Sequence, residues 1–313
     1  MAKHIESIDI LKGVTILLVV IGHAVQGVVS SQHLTINTEY NSIFILKQII
    51  YGFHMPLFFI IAGLFVASWS KRNFKEAISQ KISRLVIPYF VWSAITATAM
   101  QIASNYTNSG LGIKDFLLSP IIPFSQYWFL YMLFFILGII LYVLNPFIEH
   151  IWIFENLCRY IIFFSIGTYV FDFIDLKQYQ CKKILIPIIV FLLVNGLYIK
   201  FLYMNNALLE YYFWFVTSIS GSLFCLSLSY YMLNKLKKIR DLFSFFGRKS
   251  MEIYCIHLLI LAGIRIFLLK ILKINELWSV VILSGFITIL LCYIIFNKID
   301  YEKTRLRWLF GIK

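Results

Sequence analysis

Three histidines lie inside long apolar stretches of this chain, and each has polar companions at helical spacing. His23 follows Asp9 and Lys12 on a single apolar run, and at about 100° per residue the three fall on one helical face. Asp9 and Lys12 can pair as i,i+3 neighbours. His23 lies about 20 Å further along at 1.5 Å per residue, beyond direct reach of Asp9. A neutral imidazole at that depth can take the proton of a hydroxyl as its oxygen attacks a carbonyl. Ionisable groups inside a bilayer are costly unless they face a partner or a polar cavity, so they point to a functional site. The plainer alternative is a topology-setting ion pair plus one core histidine bonded to a neighbouring helix.

The second histidine, His54, stands two residues before Pro56 in YGFHMPLFFIIAGLF. Proline removes a backbone donor and frees a carbonyl on the preceding turn. Tyr51, His54 and Phe58 share a face, as do Lys47 and His54, so this segment is either a structural kink or a second imidazole turned toward the cavity of His23. The third cluster is GRKSMEIYCIH, where Ser250, Tyr254 and His257 follow at i, i+4 and i+7. Gly247 and Ser250 read as helix-start residues. His54, Tyr51 and Tyr254 are candidate donors to a developing oxyanion. Arg159 and Arg265 also lie at membrane depth, with roles that stay open because either can snorkel.

These residues need long apolar helices to hold them, and the composition supplies them. The chain has 313 residues, of which 60% are hydrophobic and 14% charged, with a mean hydropathy of +0.83. That leaves too little polar surface for a water-soluble globule. The expected fold is all-α, a polytopic transmembrane bundle of about ten membrane helices in one domain over residues 1–313. Net charge is +13, but the basic residues gather in short joints between apolar runs, where they set topology. Nucleic-acid binding is not expected. Five isolated cysteines offer no paired metal or redox spacing and read as small core hydrophobes, and no metal is expected. Asp9 and Lys12 interrupt the first apolar run and no small-residue cleavage pattern follows, so that segment is expected to stay as an anchor.

At about 20 apolar residues per crossing, spans are predicted near 10–30, 43–69, 85–103, 126–144, 157–174, 184–202, 211–232, 251–272 and 277–297. The joints 71–84 and 235–249 and the basic tail should all be cytoplasmic. An even number of crossings must then separate the two joints, whereas five are predicted between them. Either residues 145–183 hide a short or re-entrant helix after Asn145-Pro146, or the 104–125 connection, with Pro120 and Pro123, dips into the membrane.

Taken together, the stretches IDILKGVTILLVVIGH (8–23), FHMPLFFIIAGLF (53–65), SRLVIPYF (83–90), YWFLYMLFF (127–135) and GRKSMEIYCIH (247–257) resemble the acyltransferase-3 family of integral membrane acyltransferases, especially its fucose O-acetylase-like branch. The resemblance implies transfer of an acyl group, commonly acetyl, from cytoplasmic acyl-CoA (acetyl-CoA) to a hydroxyl of a cell-envelope glycan or its lipid-linked precursor. It implies a bacterial plasma membrane with cytoplasmic termini, and contact with lipids. His23 matches the family's leading catalytic residue; Asp9 and Lys12 belong to the same motif, Arg84 to the arginine motif, Trp128 to the fourth-helix motif and His257 to the terminal one. Longer members carry a glutamate soon after that tryptophan, whereas here Trp128 is followed by Phe129, Leu130 and Tyr131. The acid that orients the histidine is therefore unassigned. Fixed cations are needed for the CoA phosphates, and Lys71, Arg72, Lys81 and Arg84 stand at the expected cytoplasmic mouth. A glycan exporter or flippase, with histidines and arginines along a translocation path, is the competing expectation.

Overall fold

The computed structural model describes residues 6–31, 38–65, 74–106, 110–136, 152–173, 185–203, 207–298 and 305–311, and every regular element among them is helical. In chain order these are α1 (Glu6–Val29), α2 (Thr38–Gly63), α3 (Phe74–Lys81), α4 (Ile87–Ile102), α5 (Ile113–Leu117), α6 (Trp128–Ile136), α7 (Trp152–Phe173), α8 (Leu185–Leu202), α9 (Ala207–Lys235), α10 (Lys237–Arg248), α11 (Ser250–Ile266) and α12 (Leu277–Lys298). A π-helical turn, Ile82–Val86, joins α3 to α4, and another, Phe267–Ile271, extends α11. Seven helices among the described residues are long and apolar enough to cross a membrane: α1, α2, α3–α4 together, α8, α9, α11 and α12. The protein is a multi-pass helical membrane bundle. Of the remaining predicted spans, α6 covers the start of 126–144, and α7 covers most of 157–174 but begins at Trp152. The proposed break at Asn145-Pro146 lies outside the described residues.

α1 is the hub. It is buried on nearly all faces and packs against α2, α9, α10, α11 and α12. Its contact with α10 depends on two glycines. A Cβ on Gly13 would strike the backbone of Phe243, and one on Gly247 would strike the backbone of Asp9. Small residues here let two backbones touch. α10 thus runs alongside the first turns of α1 in the same direction, with Arg240 3.2 Å from Glu6 near its start and Gly247 against Asp9 and Gly13 near its end, and the basic joint is clamped to the Asp9 end of the bundle.

Pro56 has the predicted consequence. Its missing N–H leaves the Gly52 carbonyl without a helical partner, and the buried Ser218 Oγ of α9 lies 2.7 Å from that oxygen. A neighbouring helix thereby supplies what the proline takes away.

The connection after α4 does not pass over the outside of the bundle. Gly112 sits against the Gln101 side chain, whereas Tyr89 Oη donates to the Ser119 carbonyl at 2.7 Å and accepts from Phe124 N–H at 3.1 Å. Gln101 and Tyr89 are about 18 Å apart along α4. Residues 110–124 therefore return along a membrane-length helix, turning Ile113, Leu117, Leu118, Ile121 and Ile122 outward. Of the two sources offered for the parity conflict, the 104–125 connection is seen to run back along α4 over residues 110–124, while the break after Asn145-Pro146 lies outside the described residues. Arg84, Arg248 and the C-terminal turn at Gly311 meet around one cavity, so the basic stretches gather at one end, as the charge pattern predicts.

Candidate active site

Two cavities sit at different depths, with a layer of rings between them. The one nearer the basic end has a volume of about 550 Å³ and is lined by Lys12, Arg84, Arg248, Glu252 and Tyr254 together with apolar side chains such as Phe58 and Phe129. The other, about 570 Å³, opens among the far ends of α1, α4 and α11; its polar lining is His23, Gln26, Ser30, Thr96, Ser125 and Arg265. Tyr254 borders the first, His23 borders the second, and His257 lies between them.

The ring layer is tight. The His23 and His257 centroids are 5.2 Å apart and those of Tyr254 and His257 6.0 Å. Tyr51 Oη lies 3.3 Å from His23 Nδ1, and the Tyr51 ring meets His54 edge-on at 4.8 Å. The three histidines from α1, α2 and α11 thus share one neighbourhood, with Tyr51 linking His54 to His23.

Backbone bonds fix two of the imidazoles. His54 Nδ1–H donates to the Ile50 carbonyl at 2.7 Å. His257 Nδ1 lies 3.0 Å from the Ile253 carbonyl and 2.9 Å from that of Tyr254, so the proton sits on Nδ1. In the neutral ring Nε2 is then the bare acceptor. His257 Nε2 is buried and has no hydrogen-bond partner among the described residues. Tyr254 Oη donates to the Gln126 carbonyl, and its proton is spent there. His23 differs from both other histidines, because its recorded Nδ1 contact is a side-chain hydroxyl that can accept as readily as donate.

The remaining predicted residues separate by depth. Asp9 is buried and pairs with Lys12 at 3.6 Å; Lys12 also lies over the Phe65 ring at 4.6 Å and reaches the cationic cavity. Neither approaches His23. Arg84 lines that cavity, whereas Lys81, at the end of α3, is not among its lining residues. Arg72 and Lys71 lie outside the described residues. Trp128 packs against Tyr160 and Phe59, at 5.3 and 6.3 Å between centroids, in an aromatic cluster, and lines neither of these two cavities. Cys225, Cys255 and Cys292 are buried free thiols. Among the described residues no group of three His, Cys, Asp or Glu side chains is arranged to hold a metal ion.

Sequence reasoning passed over four site residues. Arg248 counted only as one of many topology charges. Glu252, buried and 3.9 Å from Lys249, stood inside the GRKSMEIYCIH stretch unremarked; a carboxylate two residues into an apolar helix was the available signal. Thr96 and Ser125 carried none. Thr96 Oγ1 bonds Tyr127 Oη at 2.9 Å, and Tyr127 donates to the Cys255 carbonyl at 2.9 Å, which ties α4 and the 125–127 turn to α11. Ser125 adopts φ +48°, a left-handed conformation costly for a side-chain-bearing residue, at the point where the return segment meets the cavity.

Comparison with known proteins fixes the class that this architecture belongs to. The acyltransferase-3 family, described as an acyltransferase domain, matches residues 5–148 and 132–297, and the chain belongs to it. Among curated proteins, Nodulation protein NolL of Sinorhizobium fredii (strain NBRC 101917 / NGR234) is 34% identical over 126 residues, which is 39% of this chain and 32% of that protein. The match therefore spans about a third of that relative's length. No solved structure matches.

Proposed function

We propose that the chain moves an acyl group, acetyl by family resemblance, from acyl-CoA at the cationic cavity to a hydroxyl of an envelope glycan or its lipid-linked precursor in the far cavity, with His23 as general base. The observation that carries this reading is the position of His23: it borders the far cavity, touches Tyr51, and is separated from the cationic cavity only by His257 and Tyr254.

Each step has a group to serve it. With Nδ1–H donating to Tyr51 Oη, His23 Nε2 is bare and accepts the proton of the acceptor hydroxyl as its oxygen bonds to the thioester carbonyl. The carbon–sulfur bond then breaks, and the departing CoA thiolate takes that proton from the imidazolium. The ester and free CoA–SH are the products. Of the three oxyanion donors considered from sequence, His54 and Tyr254 have their protons committed to backbone carbonyls. Tyr51 keeps its own when it accepts from His23, so it is the donor to the oxyanion.

Lys12, Arg84 and Arg248 supply cations for the CoA phosphates, and Glu252 limits the excess positive charge among them. Positive charge at this end supports a cytoplasmic face, with the termini on that side of a bacterial plasma membrane. The test uses purified protein in lipid nanodiscs, radiolabelled acetyl-CoA and the glycolipid fraction of a strain lacking the gene. Label should pass to the fraction with wild type and not with His23→Ala. Undiminished transfer by His23→Ala contradicts the assignment, and translocation of glycan without any acylation would return the exporter reading.

A further inference from the structure

The far cavity holds a cation that acyl transfer does not use. Arg265 stands about 22 Å along α11 from Ser250, and its guanidinium lies against Gly27 of α1, where a Cβ would collide with it. Gly27 follows His23 by one helical turn on the same face. The guanidinium is therefore about 6 Å beyond the imidazole, measured along α1. A single sugar residue spans that separation.

No carboxylate is among the residues lining this cavity, and Arg265 has no hydrogen-bond or ion-pair partner among the described residues. Arg159, the other arginine at membrane depth, lies over the Trp214 ring at 5.0 Å. A half-buried guanidinium presents five donors and cannot shed its charge, so in a mostly apolar cavity lined by no carboxylate it calls for an anion. Around it Gln26, Ser30, Thr96 and Ser125 provide hydroxyl and amide groups, and Leu258, Leu261, Ala262 and Ile266 an apolar wall. Such a lining suits a molecule with a sugar, a charge and a hydrocarbon tail.

We propose that Arg265 anchors an anionic group, phosphate or carboxylate, on the acceptor whose hydroxyl reaches His23, so that the acceptor is an acidic or phosphate-linked saccharide rather than a neutral glycan. This rests on the acyl-transfer reading of His23. Phosphate and carboxylate are the same demand on the guanidinium, a bidentate oxyanion, and come from different molecules.

The experiment measures binding in phosphatidylcholine nanodiscs, with farnesyl phosphate and glucuronate as anionic probes and farnesol and glucose as their uncharged counterparts. At least one anionic probe should bind wild type, with affinity reduced about tenfold or more in Arg265→Gln. Arg265→Lys should retain part of the binding. Gly27→Ala, which displaces the guanidinium without removing its charge, should weaken it as well. Response to farnesyl phosphate identifies a phosphate-linked carrier, and response to glucuronate an acidic sugar. Equal affinity of wild type and Arg265→Gln for both anions overturns the proposal. So does loss of the wild-type response when phosphatidylglycerol is added to the disc, since the guanidinium would then be holding bulk lipid. Failure of the acyl-transfer reading is seen separately, as absence of label transfer from acetyl-CoA by wild type.

Discussion

The two cavities are nearly equal in size, about 550 and 570 Å³, yet their walls ask for different guests. The chamber at the basic end brings Lys12, Arg84 and Arg248 to one rim, balanced by one buried glutamate. The far chamber has a single cation, several neutral polar groups and more apolar wall. A clustered set of cations suits a multiply phosphorylated donor, whereas a lone guanidinium among hydroxyls suits a saccharide. What separates them is thin: Tyr254, His257 and His23, each ring within about 6 Å of the next. On the proposed reading, the contrast assigns the chemistry to the partition and the specificity to the chambers on either side.

Substitutions can break that contrast or refine it. The largest effect is expected for His23→Ala, with transfer falling about a thousandfold, the usual worth of a general base. Its affinities for donor and acceptor should stay close to wild type. Tyr51→Phe removes both the acceptor of the His23 Nδ1–H bond and the oxyanion donor, and kcat should fall about 10- to 100-fold with little change in either KM. Arg84→Gln and Arg248→Gln should each raise KM for acetyl-CoA about three- to tenfold, more at low salt than at high salt, and leave KM for the acceptor alone. A rise in acceptor KM from these two variants would erase the distinction between the chambers. The smallest effect on chemistry is expected for Ser218→Ala, which leaves the Gly52 carbonyl unpaired and should lower stability by ~1–3 kcal/mol in thermal unfolding. Adding Pro56→Ala restores a helical N–H for that carbonyl and should recover most of the loss.

Much of this arrangement was legible in the chain. Apolar runs of spanning length gave the helical bundle, because helices satisfy their own backbone groups in lipid. The spacing of Asp9, Lys12 and His23 separated an ion pair at one end from an imidazole deeper in, and the structure keeps that separation. His54 and His257 each read as ambiguous alone; packing of α2 and α11 on α1 brings them to His23. The return segment was harder. Gly110, Gly112, Pro120 and Pro123 interrupt its apolar residues, so no window reads as a span, and only the parity of the basic joints hinted at it. Arg248 was hidden among neighbours that serve topology, and no local pattern distinguishes a cation that rims a cavity from one that faces water. Trp128 shows the reverse: its motif suggested the site, whereas its ring packs with Phe59 and Tyr160.

The most direct test is sidedness in sealed proteoliposomes holding one orientation. Acetyl-CoA is supplied only on the face carrying Arg84 and Arg248, and the acceptor fraction only on the opposite face. Wild type should form the ester across the bilayer, and His23→Ala should not. Transfer that occurs only when donor and acceptor share one face would contradict a meeting point between two chambers at His23.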